Sequence, residues 1–139
     1  MKTALICWLG MTDIRCSQGT ETGLGPIAQA ATVRSYDSVE LISNSSKAEG
    51  ATYLAWLREQ TKSQINLHQV TLSSPMNYGE IYERADEVVS GLLKKEPLSL
   101  VFHLSPGTSA MAAMWLVLAT TRYAAELVAS SKEDRKSVV

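Results

Sequence analysis

Apolar residues in this chain gather in short runs separated by longer stretches of mixed polarity. The first run, TALICWL over Thr3 to Leu9, is apolar without interruption, the pattern of a strand covered on both faces. SVELIS (Ser38 to Ser43), INLHQVTL (Ile65 to Leu72), LSLVFHL (Leu98 to Leu104) and AELVA (Ala125 to Ala129) predict four more strands. Between them the spacing becomes helical. Pro26 suits the first turn of a helix running to about Ser35, with Ile27, Ala28, Ala31 and Val33 inward. Tyr53, Leu54, Trp56 and Leu57 recur at helical spacing between about Lys47 and Lys62, with Asn44, Ser45 and Ser46 forming the cap. Ile81, Ala85, Val88, Val89, Leu92 and Leu93 mark a helix from Gly79 to Lys95, broken by Glu96 and Pro97.

The last helix, about Thr108 to Arg122, is apolar nearly all round through Met111, Ala112, Met114, Trp115, Leu116 and Leu118. It must be covered on more than one side, either by the sheet and neighbouring helices or by a second copy of the protein. Met11 to Gly25 is polar and glycine-containing and reads as a connecting loop, longer than usual and so functional or mobile. Residues 131–139 read as a polar, charged tail or linker, and residues 1–130 as one domain.

Strand and helix alternate from end to end, which specifies an α/β fold: a Rossmann-like three-layer sandwich around a mainly parallel sheet of about five strands. In such sheets ligands bind beyond the carboxyl ends of the strands. Four strands here each end in a small polar segment, Gly10 to Asp13, Ser43 to Ser46, Ser73 to Asn77 and Ser105 to Ser109. Converging on one crevice, they would line it with hydroxyls, amides such as Asn44 and backbone N–H groups. That lining suits a nucleotide or phosphodiester better than a metal, and calls for no cofactor. The turn Ser105-Pro106-Gly107-Thr108-Ser109 opens the apolar helix, and a helix amino terminus has unpaired N–H groups and a partial positive charge. The same residues also make an ordinary strand-to-helix turn, with Ser105 or Thr108 as N-cap and nothing bound.

Composition narrows the choice. A formal net charge of −1 argues against duplex DNA binding by electrostatics alone. The two cysteines, Cys7 in an apolar run and Cys16 in a polar loop, have no metal-ligand or disulfide-framework spacing. The amino-terminal apolar run is too short for a signal peptide or membrane span, so a cytoplasmic protein is expected. There is no Gly-x-x-x-x-Gly-Lys and no Gly-x-Gly-x-x-Gly, which excludes the two standard phosphate loops. His68 and His103 lie within strands, and His103 reads as a core histidine. Asp13 would contact a ribose or cap a turn, and Arg15 would pair a phosphate or be solvated. Glu80, Glu83, Asp86 and Glu87 beside Arg84 form a solvated helix face. No acid–base pair stands out, so binding is expected and no catalytic residue is assigned.

HLSPGTSAMAAMWLVLATTRYAAELVASS near the end and ICWLGMTDIRCSQGTETGLGPIAQA at the start resemble the CRISPR-associated Rossmann fold (CARF) sensor domains, in particular those at the amino terminus of RNA-repair-type sigma-54-dependent transcriptional activators. The resemblance implies a homodimer that binds a cyclic oligoadenylate or short RNA-derived ligand across its twofold axis, in antiviral defence or RNA repair, and signals to a fused or associated effector. It implies Thr12, Asp13, Ser17, Ser105, Gly107, Thr108 and Ser109 as ligand contacts, to which the strand endings add Gly10 and Asn44. Some related sensors cleave their ligand, which implies a metal-independent ring nuclease as the alternative, and a dimerisation module without ligand as a second. The ATPase and DNA-binding domains of the activators have no counterpart before Val139, so a sensor fragment or a stand-alone small protein is expected.

Overall fold

A computed structural model of the chain describes residues 1–130 and 137–138. β1 (Lys2–Trp8) leads through α1 (Met11–Ser17) and α2 (Pro26–Val33) to β2 (Ser38–Ser43). α3 (Lys47–Gln60), β3 (Gln64–Gln69), α4 (Tyr78–Lys95), β4 (Leu98–His103), α5 (Ser109–Thr121) and β5 (Ala125–Ser130) follow. The strand order is β3-β2-β1-β4-β5, all parallel, and the two-residue β6 (Ser137–Val138) adds antiparallel to β5. The rest of the expected tail, residues 131–136 and 139, lies outside the described residues.

Both faces of the sheet are covered, and the alternation along each strand shows how. Leu5, Cys7 and Leu9 of the β1 segment point to one face, where Val39, Leu41 and Val101 join Ile27, Tyr53 and Leu57 of α2 and α3. Ile6 and Trp8 point to the other, with Ile42, Phe102 and residues of α4 and α5. A strand buried on both sides has no room for a polar position, which is why β1 reads as an unbroken apolar run. The chain moves outward from β1 to β3, then returns to β4 on the opposite side of β1. The order therefore switches between β1 and β4, where α/β sheets place their crevice.

Three expectations are corrected. Met11 to Ser17 is a helix, not loop: Gly10 is its N-cap and the Asp13 carboxylate accepts the Gly10 N–H at 3.1 Å, but seven residues are too few to show a helical period. The loop shrinks to residues 18–25. β3 ends at Gln69 instead of Leu72, because β2 stops at Ser43 and leaves nothing beyond it to pair; Val70 donates a last bond to the Ser43 carbonyl at 2.8 Å. Val33, at the last position of α2, is 47% exposed instead of inward. Within the chain α5 packs Ala110, Met111, Trp115 and Leu118 against the sheet and α4, and Leu116 and Val117 are exposed at 44% and 38%. Among the described residues no helix is long and apolar enough to cross a membrane.

Trp115 is the largest side chain α5 buries, 1% exposed and stacked on Phe102 with ring centroids 4.4 Å apart. Trp115→Ala should lower the unfolding free energy by about 3–5 kcal/mol in urea titration, since it leaves a cavity that the sheet cannot close. A loss under about 1 kcal/mol would show that α5 is not anchored through this stack.

Candidate functional site

A cavity of about 400 Å³ opens at the carboxyl ends of the strands, at the switch point. Its floor is backbone. A Cβ on Gly10 would stand 2.6 Å from the Gly107 nitrogen and 3.1 Å from its Cα, so the segments leaving β1 and β4 touch directly. Gly107 has φ +85°, a conformation other residues adopt only with strain. Ser105 lines one wall, its hydroxyl accepting the Ser130 N–H at 2.6 Å and thereby tied to the end of β5.

Thr108 is the N-cap of α5. Its hydroxyl accepts the Met111 N–H at 3.3 Å and donates to the Pro75 carbonyl at 2.7 Å, which fastens the β3–α4 connection to the helix terminus. Its own N–H has only the Met111 thioether, at 3.4 Å, a weak acceptor. The first turns of α1, α3 and α4 contain Asp13, Glu49 and Glu80, each an acid placed where the helix dipole favours its ionised form. α2 has no acid of its own, but Asp13 Oδ1 accepts the Ile27 N–H at 3.0 Å. α5 has no acid in its first turn and none borrowed in this way. Of the helix termini at this rim, that of α5 is the one left for an exogenous anion.

The sequence-derived residues separate into two groups. Gly10, Thr12, Asn44, Ser105, Gly107 and Thr108 line the cavity. Asn44 is half-buried and, among the described residues, no hydrogen bond engages its amide. Three others do not line it. Asp13 is fully buried, its two oxygens held by Gly10 and Ile27, so of the two roles read for it the structural one holds and the ribose contact is corrected. Ser17 sits at the far end of α1 with its hydroxyl on the Ile14 carbonyl at 2.6 Å, because the segment is helical and turns it away. Ser109 is exposed at the first position of α5 and is not among the residues that line the cavity. Arg15 pairs with Glu21 at 3.2 Å. Sequence reasoning missed Met11, Pro26, Glu49 and Pro75 on the walls; Met11 and Pro75 stood in segments already assigned to the rim.

Among the described lining residues there is no histidine, lysine or arginine. His103 is buried below, with Cys7 Sγ 3.7 Å from Nδ1 and Ser130 Oγ 2.7 Å from Nε2, and burial pushes it down to about 4, so it is a neutral core histidine at neutral pH. His68 binds Glu40 at 2.8 Å in a separate groove on the sheet, about 410 Å³, near Lys2, Lys95 and Glu96. That groove lies away from the strands' carboxyl ends, so it is not the site the topology marks. Among the described residues no group of three or more His, Cys, Asp or Glu is placed to hold a metal ion. The crevice presents backbone N–H groups, hydroxyls and the Asn44 amide, with the Glu49 carboxylate on one wall, a lining able to hydrogen-bond a polar ligand.

No protein-family model matches the chain, and no curated protein matches it. Among solved structures, Enterococcus italicus Csm6 bound to cyclic hexa-2'-fluoro-hexa-dAMP superposes with a TM-score of 0.77 at 15% identity, over 95% of this chain and 34% of that one. The chain thus spans about a third of the length of Csm6, a CARF-domain protein. The Rossmann-like sheet with helices on both faces is a CARF fold.

The buried carboxyl gives a pH test. Desolvation, against the opposing N–H bonds from Ile27 and Gly10, raises Asp13 to about 7, above its unfolded value near 4. Its contribution to stability is therefore fully present below about pH 4 and lost as pH rises toward 7. His103 has the opposite sign: its contribution is present above about pH 6.5 and lost as pH falls toward 4. Unfolding free energies measured from pH 4 to 7 should slope upward more steeply with pH in Asp13→Asn than in the wild type. Identical slopes would mean that Asp13 is ionised throughout.

Proposed function

We propose that this domain binds a cyclic oligoadenylate or a related RNA-derived nucleotide in the crevice, as one half of a site shared by two copies of the chain. The observation that carries the reading is the amino terminus of α5, which has no acid in its first turn, set against the Gly10–Gly107 backbone contact: it offers N–H donors and partial positive charge in a cavity whose other polar side chains are hydroxyls, an amide and the Glu49 carboxylate that serves α3. The Csm6 structure, bound to a cyclic hexa-adenylate analogue, supports the ligand class. Two such termini related by a twofold axis match a ring of repeating phosphates. The exposed Leu116 and Val117 of α5 give a second copy an apolar surface to cover.

Residues 1–130 are read as the sensing domain and the residues after them as the connection to a fused or associated effector, transcriptional in the manner of the sigma-54 activators or of another kind. A ligand touching both copies favours one arrangement of the pair through its differential affinity, and that shift is the signal. A lining without histidine, lysine or arginine among the described residues supports binding over cleavage.

Calorimetric titration with cyclic tetra- and hexa-adenylate tests this. Wild-type protein should bind one ring per dimer and return it intact. Gly107→Val should abolish binding, because the added side chain meets Met111 and strains the left-handed turn. Thr108→Ala should weaken binding by about 1–3 kcal/mol through loss of the cap and of the hold on Pro75. Unchanged affinity in both variants would remove the crevice as the site, and linear products would replace sensing by cleavage.

A further inference from the structure

The crevice has a side chamber that the preceding reading leaves empty of purpose. Thr12, Pro26 and Ser105 line both spaces, and beyond them lies a recess of about 190 Å³ bounded also by Cys16, Glu21 and Gln29. Gln29 is the polar residue on the buried side of α2, among Ile27, Ala28, Ala30 and Ala31. It is 5% exposed, and among the described residues no hydrogen bond reaches its side-chain amide. Its amide is not among the side-chain groups sealed from solvent without a partner, so the small accessible part of the residue opens on the recess, where a guest could take the place of water.

The chemistry of the recess selects among possible guests. Among its described lining residues the recess has no lysine, arginine or histidine, and its one acid, Glu21, is paired with Arg15, so nothing there draws a phosphate, whereas the α5 terminus across the shared wall favours one. The volume admits a single flat heterocycle. An amide presents a donor and an acceptor side by side, and adenine, the base of the ring bound to Csm6, offers a matching pair, an amino group beside a ring nitrogen. We propose that the recess receives one base of the bound nucleotide and that Gln29 reads the amino and ring-nitrogen edge of an adenine. The inference rests on the crevice being a nucleotide site; it adds where the base goes and which residue sets its identity.

The test is calorimetric titration of the full chain and of Gln29→Leu and Gln29→Met with cyclic tetra- and hexa-adenylate and with the corresponding uridylate rings, with melting curves taken without ligand. Wild-type protein should prefer adenylate. Both variants should lose about tenfold or more in adenylate affinity while uridylate binding stays as it was, and both should melt no lower than wild type. Three results overturn the role of Gln29 while leaving the crevice site standing: wild-type adenylate affinity in the variants, equal wild-type affinity for the two kinds of ring, or melting of both variants well below wild type, which would make the amide structural. Wild-type protein that binds no ring overturns the reading of the crevice, and this inference with it.

Discussion

Two backbone segments in direct contact, with no side chain between them, set the geometry of this site. Gly10 follows β1 and Gly107 follows β4, and a single added methyl group on Gly10 would lie 2.6 Å from the Gly107 nitrogen. β1 and β4 are neighbours at the switch in strand order, so the chain leaves them toward opposite faces of the sheet. The space left between the departing segments becomes the crevice, and the missing side chains make its floor a surface of amides. Asp13 secures one wall from below, holding the start of α1 to the start of α2 through Gly10 and Ile27. Thr108 secures the other through Pro75.

The electrostatics follow from which helix termini are already answered. Carboxylates stand in the first turns of α1, α3 and α4, and Asp13 serves α2 as well. With those dipoles offset, α5 is the one terminus at the rim with capacity for an outside anion. No lysine or arginine is needed among the lining residues for this, and the net charge of −1 is consistent with a ligand held locally and not gathered by a basic surface.

The strands were legible because burial on both faces leaves a continuous apolar run, and the placement of polar strand ends on one rim followed from parallel topology. α1 was not, since a seven-residue helix is shorter than the window in which its period shows, and its signal is one carboxylate three residues after a glycine. Of the candidate contacts, residue type identified the segment but not the engagement of each group. Whether Asp13 faces a ligand or the core depends on α2 arriving over it, and the Thr108 hydroxyl is engaged by Pro75, thirty-three positions away in sequence. Gln29 carried a signal that was passed over, a lone amide on the inward side of PIAQAATV.

Amide chemical-shift mapping during titration with cyclic tetra- or hexa-adenylate addresses the central claim most directly, because it reports backbone N–H groups one by one. The account requires the largest changes at Gly10, Thr12, Gly107 and Thr108, around the contact between the two strand ends. Changes concentrated instead at Glu40, Asn66 and His68, in the charged groove on the sheet, would contradict it.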